Sequence, residues 1–184
     1  MLFRSMGLQC YAESLLSDSL KGALVALDPR NGEILVMASS PRMDGNIFSL
    51  NRDRRARAWA KLALDPSLPL NNRSISGSYE PGSTFKGIVS IAALQSGKIR
   101  AENHMSRACN GGYAFGNRVW KCWDPRGHGF LDLVGAFTQS CDVYYYQAGL
   151  VLGMDRINRV AREFGLGRKT GIDLDDEQIG RAHV

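Results

Sequence analysis

At 184 residues the chain is the size of one domain or part of one. With 44% hydrophobic and 22% charged residues, and no apolar run of about 18, it reads as a core-forming chain; collagen, coiled coil, disordered tail and bilayer span are excluded. The net charge of +5 is too small to argue for a nucleic-acid partner, and four cysteines are too few for a disulfide-stapled scaffold.

No signal peptide opens the chain. Residues 1–5 and 179–184 read like translated sequencing adapters, which sets the segment of interest at residues 6–178, broken out of a longer gene. Both ends are set aside in reading the fold, and removing Arg4 and Arg181 lowers the charge to +3.

Apolar residues at Leu8, Ala12, Leu15 and Leu16 have helical spacing, and Cys10 is expected to join the core from this helix. Two short apolar runs, 22–28 and 33–38, flank Pro29-Arg30-Asn31-Gly32 and predict a β-hairpin, since Asn and Gly both tolerate positive φ. Residues 39–49 read as a loop. The Arg- and Ala-rich stretch 51–64 predicts a helix with a solvated charged face, ended by Pro66 and Pro69. Residues 71–82 read as a loop, and 83–96 as a helix with Gly97 as its C-cap. A ragged hairpin is expected over 111–123. Asp132 can cap a helix from Leu133, with more helix through Tyr146 and over 155–164. The pattern is mixed, a hairpin first and helices after it.

The most informative stretch is Pro81-Gly82-Ser83-Thr84-Phe85-Lys86. A break precedes Ser83, and residues three apart on a helix share a face, so the Lys86 amine is expected to meet the Ser83 hydroxyl. Such an amine can serve as the base that a serine nucleophile needs, and the helix N-terminus offers N–H groups to an oxyanion. Alone, Ser-x-x-Lys is a frequent chance match, a capping serine followed by an exposed lysine. Ser140-Cys141-Asp142 adds a second serine with a polar group two residues on, and the two motifs in this order occur in penicillin-binding proteins and class A β-lactamases.

Further words follow in a fixed order: Asn72-Arg73, Phe115-Gly116-Asn117-Arg118, Gly127-His128-Gly129 and Val143-Tyr144-Tyr145-Tyr146-Gln147. With them the chain resembles the elongation-type class B penicillin-binding proteins (the penicillin-binding protein 2 family) over part of their transpeptidase domain. The resemblance implies an α+β fold, a partial penicillin-recognising serine transpeptidase (β-lactamase-like) architecture comprising the N-terminal hairpin of the sheet and the helical lobe. It implies a peptidoglycan D,D-transpeptidase of cell-wall elongation and cell shape. Ser83 would be the nucleophile toward the stem peptide and toward β-lactams, and Lys86 its base. Ser140 would relay protons to the leaving amine. Asp142, where many relatives have Asn, would hold the substrate or orient Lys86. The implied setting is the periplasmic face of the inner membrane, with a rod-elongation glycosyltransferase as partner and no cofactor required for the chemistry. Two alternatives stand beside it: a β-lactamase or β-lactam sensor on the same fold, and a non-catalytic scaffold that keeps the fold for binding.

Lys169-Thr170-Gly171 imitates the family's third motif, but it comes only 29 residues after Ser140 and runs into Ile172-Asp173-Leu174, like a surface segment of the family. The genuine motif is therefore expected beyond Val184. A sheet lacking those strands exposes unpaired edges, so residues 6–178 alone are expected to fold poorly and turn over little substrate.

Cys109, Cys122, His128 and Cys141 have the spacing C-x12-C-x5-H-x12-C. Thiolates with an imidazole suit a closed zinc site, but no Cys-x-x-Cys knuckle is present. A Cys109–Cys122 disulfide or buried free thiols compete with that reading. The resemblance favours structural zinc, since some members of the family carry it beside the active site on the histidine of Gly-His-Gly and the cysteine of Ser-Cys-Asp. Those positions are His128 and Cys141, with Cys109 and Cys122 near the remaining two ligands.

Overall fold

Residues 5–16 and 20–179 are described by the structure, a computed structural model, and they fall into two units: residues up to 79 together with 169–179, and residues 80–168. Apart from Ser5 and Ile179, the suspected adapter stretches lie outside the described residues, as do residues 17–19 of the first predicted helix.

In the first unit, helix α1 (Met6–Leu15) starts at Ser5, whose hydroxyl accepts the Leu8 N–H. Strands β1 (Gly22–Leu27) and β2 (Ile34–Ser40) pair antiparallel, with Val25 opposite Met37. Every second residue of β2 from Val36 is buried, the period of a half-buried strand. The small core is Ala12, Val36 and Ala38, with Leu16, Leu24 and Ala26 packed on it. Gln9 fixes the rotation of α1, because its side-chain amide takes both the N–H and the carbonyl of Met37 at 3.0 Å. That sets residues 9, 12 and 16 on the strand. Cys10, one position round the helix, is exposed rather than in the core, and Leu8 and Leu15 are exposed with it.

The link between the strands turns at Gly32 (φ 76°), the only residue of the link with positive φ. Asn31 contributes its side chain instead, accepting the Glu33 N–H. Strand β2 runs two residues into the expected loop, and a 3₁₀ turn follows over Gly45–Ser49. Helix α2 (Arg52–Ala63), capped by Asn51, buries no residue, which agrees with a solvated face. The expected loop after it contains a short helix, α3 (Arg73–Ser76). Its first residue explains the departure: Arg73 is buried, and its guanidinium donates to the carbonyls of Ser67 (2.6 Å) and Leu68 (3.1 Å). A buried cation here is paid back by main-chain oxygens in place of a carboxylate. Lys169-Thr170-Gly171 lies in no strand, and both the Thr170 N–H and hydroxyl are held by Glu177.

The second unit is a helical cluster carrying a small hairpin. Helix α4 (Lys86–Ser96) ends at Gly97 in the left-handed region (φ 65°), as the sequence predicts. It packs against α5 (Leu133–Thr138), α6 (Asp142–Leu152) and α7 (Met154–Glu163). Close approach follows from alanines at the contacts: Ala93, Ala136 and Ala148 have no exposed surface. Asp132 caps α5 by accepting the Gly135 N–H at 2.7 Å. Strands β3 (Gly112–Phe115) and β4 (Arg118–Lys121) form the expected hairpin. Gln147 on α6 is buried with its amide fully engaged, by Ser106, by both main-chain groups of Arg107 and by the Val143 carbonyl.

Candidate active site

Pro81 and Gly82 (φ 54°) do not lead straight into α4. They open a 3₁₀ turn, Gly82–Phe85, and Ser83 sits exposed on that turn while Lys86 begins the helix proper. The second serine lies on the sharp bend between α5 and α6. Ser140 adopts φ 51°, a conformation that costs a non-glycine residue about 1 kcal/mol or more. Three successive carbonyls of this bend are each taken: Gln139 by the Trp123 indole (2.9 Å), Ser140 by the Lys86 ammonium (2.7 Å), and Cys141 by the Tyr145 N–H (3.4 Å).

Lys86 is the hub. Its Nζ donates to the Ser140 carbonyl, to the Ser140 hydroxyl (3.0 Å) and to Asp142 Oδ1 (2.6 Å). The Ser140 hydroxyl in turn donates to Ser83 Oγ at 3.0 Å. The expected direct contact between Lys86 and Ser83 is absent among the described residues; the Ser140 hydroxyl stands between them. The reason is competition for protons. An ammonium has three, and a carboxylate, a carbonyl and a hydroxyl on the 140–142 bend take them all. Lys86 and Asp142 are 11% and 25% exposed, whereas Ser83 faces solvent, so the ion pair backs a hydroxyl that is open to solution.

Two supports were not legible beforehand. The Tyr145 ring lies 5.6 Å from Lys86 Nζ, and its hydroxyl shares a 2.7 Å hydrogen bond with Ser90, one turn along α4. Burial raises the Tyr145 hydroxyl pKa, so the phenol stays neutral beside the pair. The Trp123 N–H donates to Asp142 Oδ2 at 3.1 Å. Tyr145 stood in a run of tyrosines that reads equally as core, and Trp123 had only its place beside Cys122 to mark it.

Cys109, Cys122, His128 and Cys141 converge just behind the bend, their ligand atoms all within 4.8 Å of one another. The three thiols are buried and free, and His128 Nδ1 is 3.6 Å from both Cys109 Sγ and Cys122 Sγ. Backbone economy makes this possible. Gly111 and Gly127, at φ 84° and 80°, stand where a Cβ would lie 2.1 Å from the carbonyls of Pro125 and Cys109. Burial works upward on the Cys109 thiol, but the Gly111 main chain and the His128 ring outweigh it and leave it lowered to about 7. Burial pushes the Cys141 thiol up to about 12. Tetrahedral zinc with sulfur and nitrogen ligands has donor edges of roughly 3.5–3.8 Å. The two 3.6 Å spacings from His128 fall in that range, within a set of four donors bounded at 4.8 Å.

The family described as "Penicillin binding protein transpeptidase domain" matches this chain over residues 22–183. The chain belongs to that family. It is 36% identical over 173 residues to the peptidoglycan D,D-transpeptidase MrdA of Salmonella typhimurium, a match covering 94% of this chain and 27% of that protein. The chain thus spans about a quarter of the length of that curated relative. Among solved structures, penicillin-binding protein 2 from Helicobacter pylori matches with a TM-score of 0.85 and 32% identity, covering 96% of this chain and 33% of that one. Penicillin-binding protein A from M. tuberculosis, solved as a penicillin G acyl-enzyme complex, matches with a TM-score of 0.72 and 33% identity over 80% of this chain and 35% of that one. The α+β transpeptidase fold read from the sequence is therefore the fold of this family. Among the described residues no helix is long and apolar enough to cross a membrane.

Proposed function

We propose that residues 6–178 are part of a peptidoglycan D,D-transpeptidase that acylates Ser83 with a stem peptide or a β-lactam. The observation that carries this reading is the unbroken hydrogen-bond line from Ser83 Oγ through Ser140 Oγ to Lys86 Nζ and Asp142. For Ser83 to attack the carbonyl of a D-Ala-D-Ala bond, this line must run in reverse. Once Lys86 has given up one proton, the Ser140 hydroxyl turns to donate to Lys86 and to accept from Ser83, so that the Ser83 proton moves to Ser140 and the Ser140 proton to Lys86. The tetrahedral oxyanion is received by the Ser83 N–H at the start of the 3₁₀ turn. Ser140 then returns a proton to the departing D-Ala amine, and an acceptor amine from a neighbouring strand resolves the acyl-enzyme. A Lys-Thr-Gly strand from beyond Val184 would complete the cleft.

Cys109, Cys122, His128 and Cys141 would hold a structural zinc ion, and it would supply cross-linking of the 109–111 and 122–129 loops to the bend and no reactive chemistry. Cys141 lies between Ser140 and Asp142 in the chain, so a ligand at its sulfur fixes both neighbours. The whole protein would act at the periplasmic face of the inner membrane beside a glycosyltransferase of rod elongation. The likeness to a peptidoglycan D,D-transpeptidase supports the cell-wall setting, and the likeness to a chain of a peptidoglycan synthase complex supports such a partner.

The test is a comparison of two substrates with the whole protein. D-Ala release with cross-linked product from a synthetic pentapeptide strand, and no steady nitrocefin turnover, is the expected result. Sustained nitrocefin hydrolysis would replace this reading with a β-lactamase. Loss of penicillin labelling in Ser83→Ala, against labelled wild type, would exclude a scaffold that merely binds.

A further inference from the structure

Trp123 is more than half exposed, yet it is tied at both ends of the Ser140 bend. Its indole N–H donates to the Gln139 carbonyl at 2.9 Å, and its main-chain N–H donates to Asp142 Oδ2 at 3.1 Å. Its ring rests 5.2 Å from that of His128. Of the two residues between the bonded positions 139 and 142, Ser140 is the one in the left-handed conformation. A bend under such strain relaxes unless its flanks are held.

We infer that Trp123 is a positioning residue for acyl transfer: the indole N–H pins residue 139 and so keeps the main-chain N–H of residue 123 on Asp142. Asp142 has two oxygens with two tasks. One meets Lys86 at 2.6 Å, and the other is held by Trp123, so the carboxylate cannot rotate away from the ammonium without breaking a second bond. The same grip stops the Gln139–Ser140 peptide from flipping, which would carry the Ser140 hydroxyl off the line between Lys86 and Ser83. The ring on His128 connects this brace to the thiol cluster, with Cys122 as its chain neighbour. The inference rests on the transpeptidase reading above.

The five-membered ring of indole places Nε1 two bonds from Cγ, the place Nε2 occupies in histidine. Trp123→Phe therefore deletes the donor, and Trp123→His restores it. In the whole protein, fluorescent penicillin is used to measure the acylation rate constant and the prior binding constant. The expected result for Trp123→Phe is a fall in acylation rate of about 5- to 10-fold, with binding changed less than about twofold. Trp123→His returns the rate to within about twofold of wild type. Equal rates in the Phe variant and wild type would overturn the inference, as would equal losses in the Phe and His variants. Should the Phe variant not fold, Trp123→Leu serves as the donor-free variant beside Trp123→His, with the same results upholding or refuting the brace. Absence of acylation in wild type itself would bring down the transpeptidase reading and this inference with it, an outcome distinct from labelled wild type with an unaffected variant.

Discussion

Ser140 meets two demands at once, a hydroxyl within 3.0 Å of both Ser83 and Lys86 and a backbone in a region that penalises a Cβ. The two can be separated. Ser140→Ala and Ser140→Gly both remove the relay, and both are expected to slow penicillin acylation by about 10²–10⁴-fold. The Gly variant loses the Cβ penalty and is expected to be more stable than the Ala variant by about 1 kcal/mol in denaturant melts. Asp142 is resolved the same way. Asp142→Asn keeps an acceptor for Lys86 and is expected to stay within about tenfold of wild type in labelling rate, whereas Asp142→Ala strands a mostly buried ammonium and is expected to lose more than that. That Ser83, Lys86, Ser140 and Asp142 gather was legible in the sequence from the order of the two motifs and the resemblance to the family. Their order of contact was not. That depends on Ser83 lying on a 3₁₀ turn and on the bend at 139–141 competing for the ammonium protons, neither of which leaves a mark on composition or period.

At the scale of elements, two short turns share one chemistry. Asp28-Pro29-Arg30 and Asp124-Pro125-Arg126 each fold so that the carboxylate takes the arginine's main-chain N–H and its guanidinium. Each arginine holds its aspartate pKa below the ordinary value. The folded state thus binds fewer protons than the unfolded chain near the carboxylate range. The contribution is complete above the unfolded pKa of about 4 and is lost as pH falls below it. Asp124→Asn is expected to flatten the loss of stability below about pH 4, which acid denaturation followed by circular dichroism would show. The neighbouring Gly127 is more demanding. Gly127→Ala puts a methyl 2.1 Å from the Cys109 carbonyl at φ 80°, and is expected to cost about 2 kcal/mol or more and to open the thiol cluster. Helices α4, α5 and α7 and both hairpins were readable from period and caps, with Gly97 and Asp132 placed where they act, whereas α6 runs on to Leu152, past the helix expected through Tyr146. Helix α3 was not, because its reason for existing is Arg73, whose buried charge is satisfied by carbonyls of a loop; Cys10 was misplaced because the side-chain amide of Gln9, a tertiary contact, sets the rotation of α1.

At the scale of the whole molecule, the proposed metal would tie loops of the second unit to the line of hydrogen bonds. If zinc sits on Cys109, Cys122, His128 and Cys141, metal analysis of the whole protein should find one ion per chain. Its removal by a chelator should then lower the melting temperature by roughly 5 °C or more and slow acylation while leaving Ser83 unmodified. A metal-free protein with a Cys109–Cys122 disulfide would replace that picture. The central claim is that Ser83 is the nucleophile and that the Ser140–Lys86–Asp142 line activates it. Mass spectrometry of the peptide containing residue 83 after penicillin G treatment tests it most directly. A single penicilloyl adduct on Ser83, formed in wild type and slowed in Ser140→Ala, is the predicted result; an adduct on another residue, or equal rates in the two proteins, would contradict it.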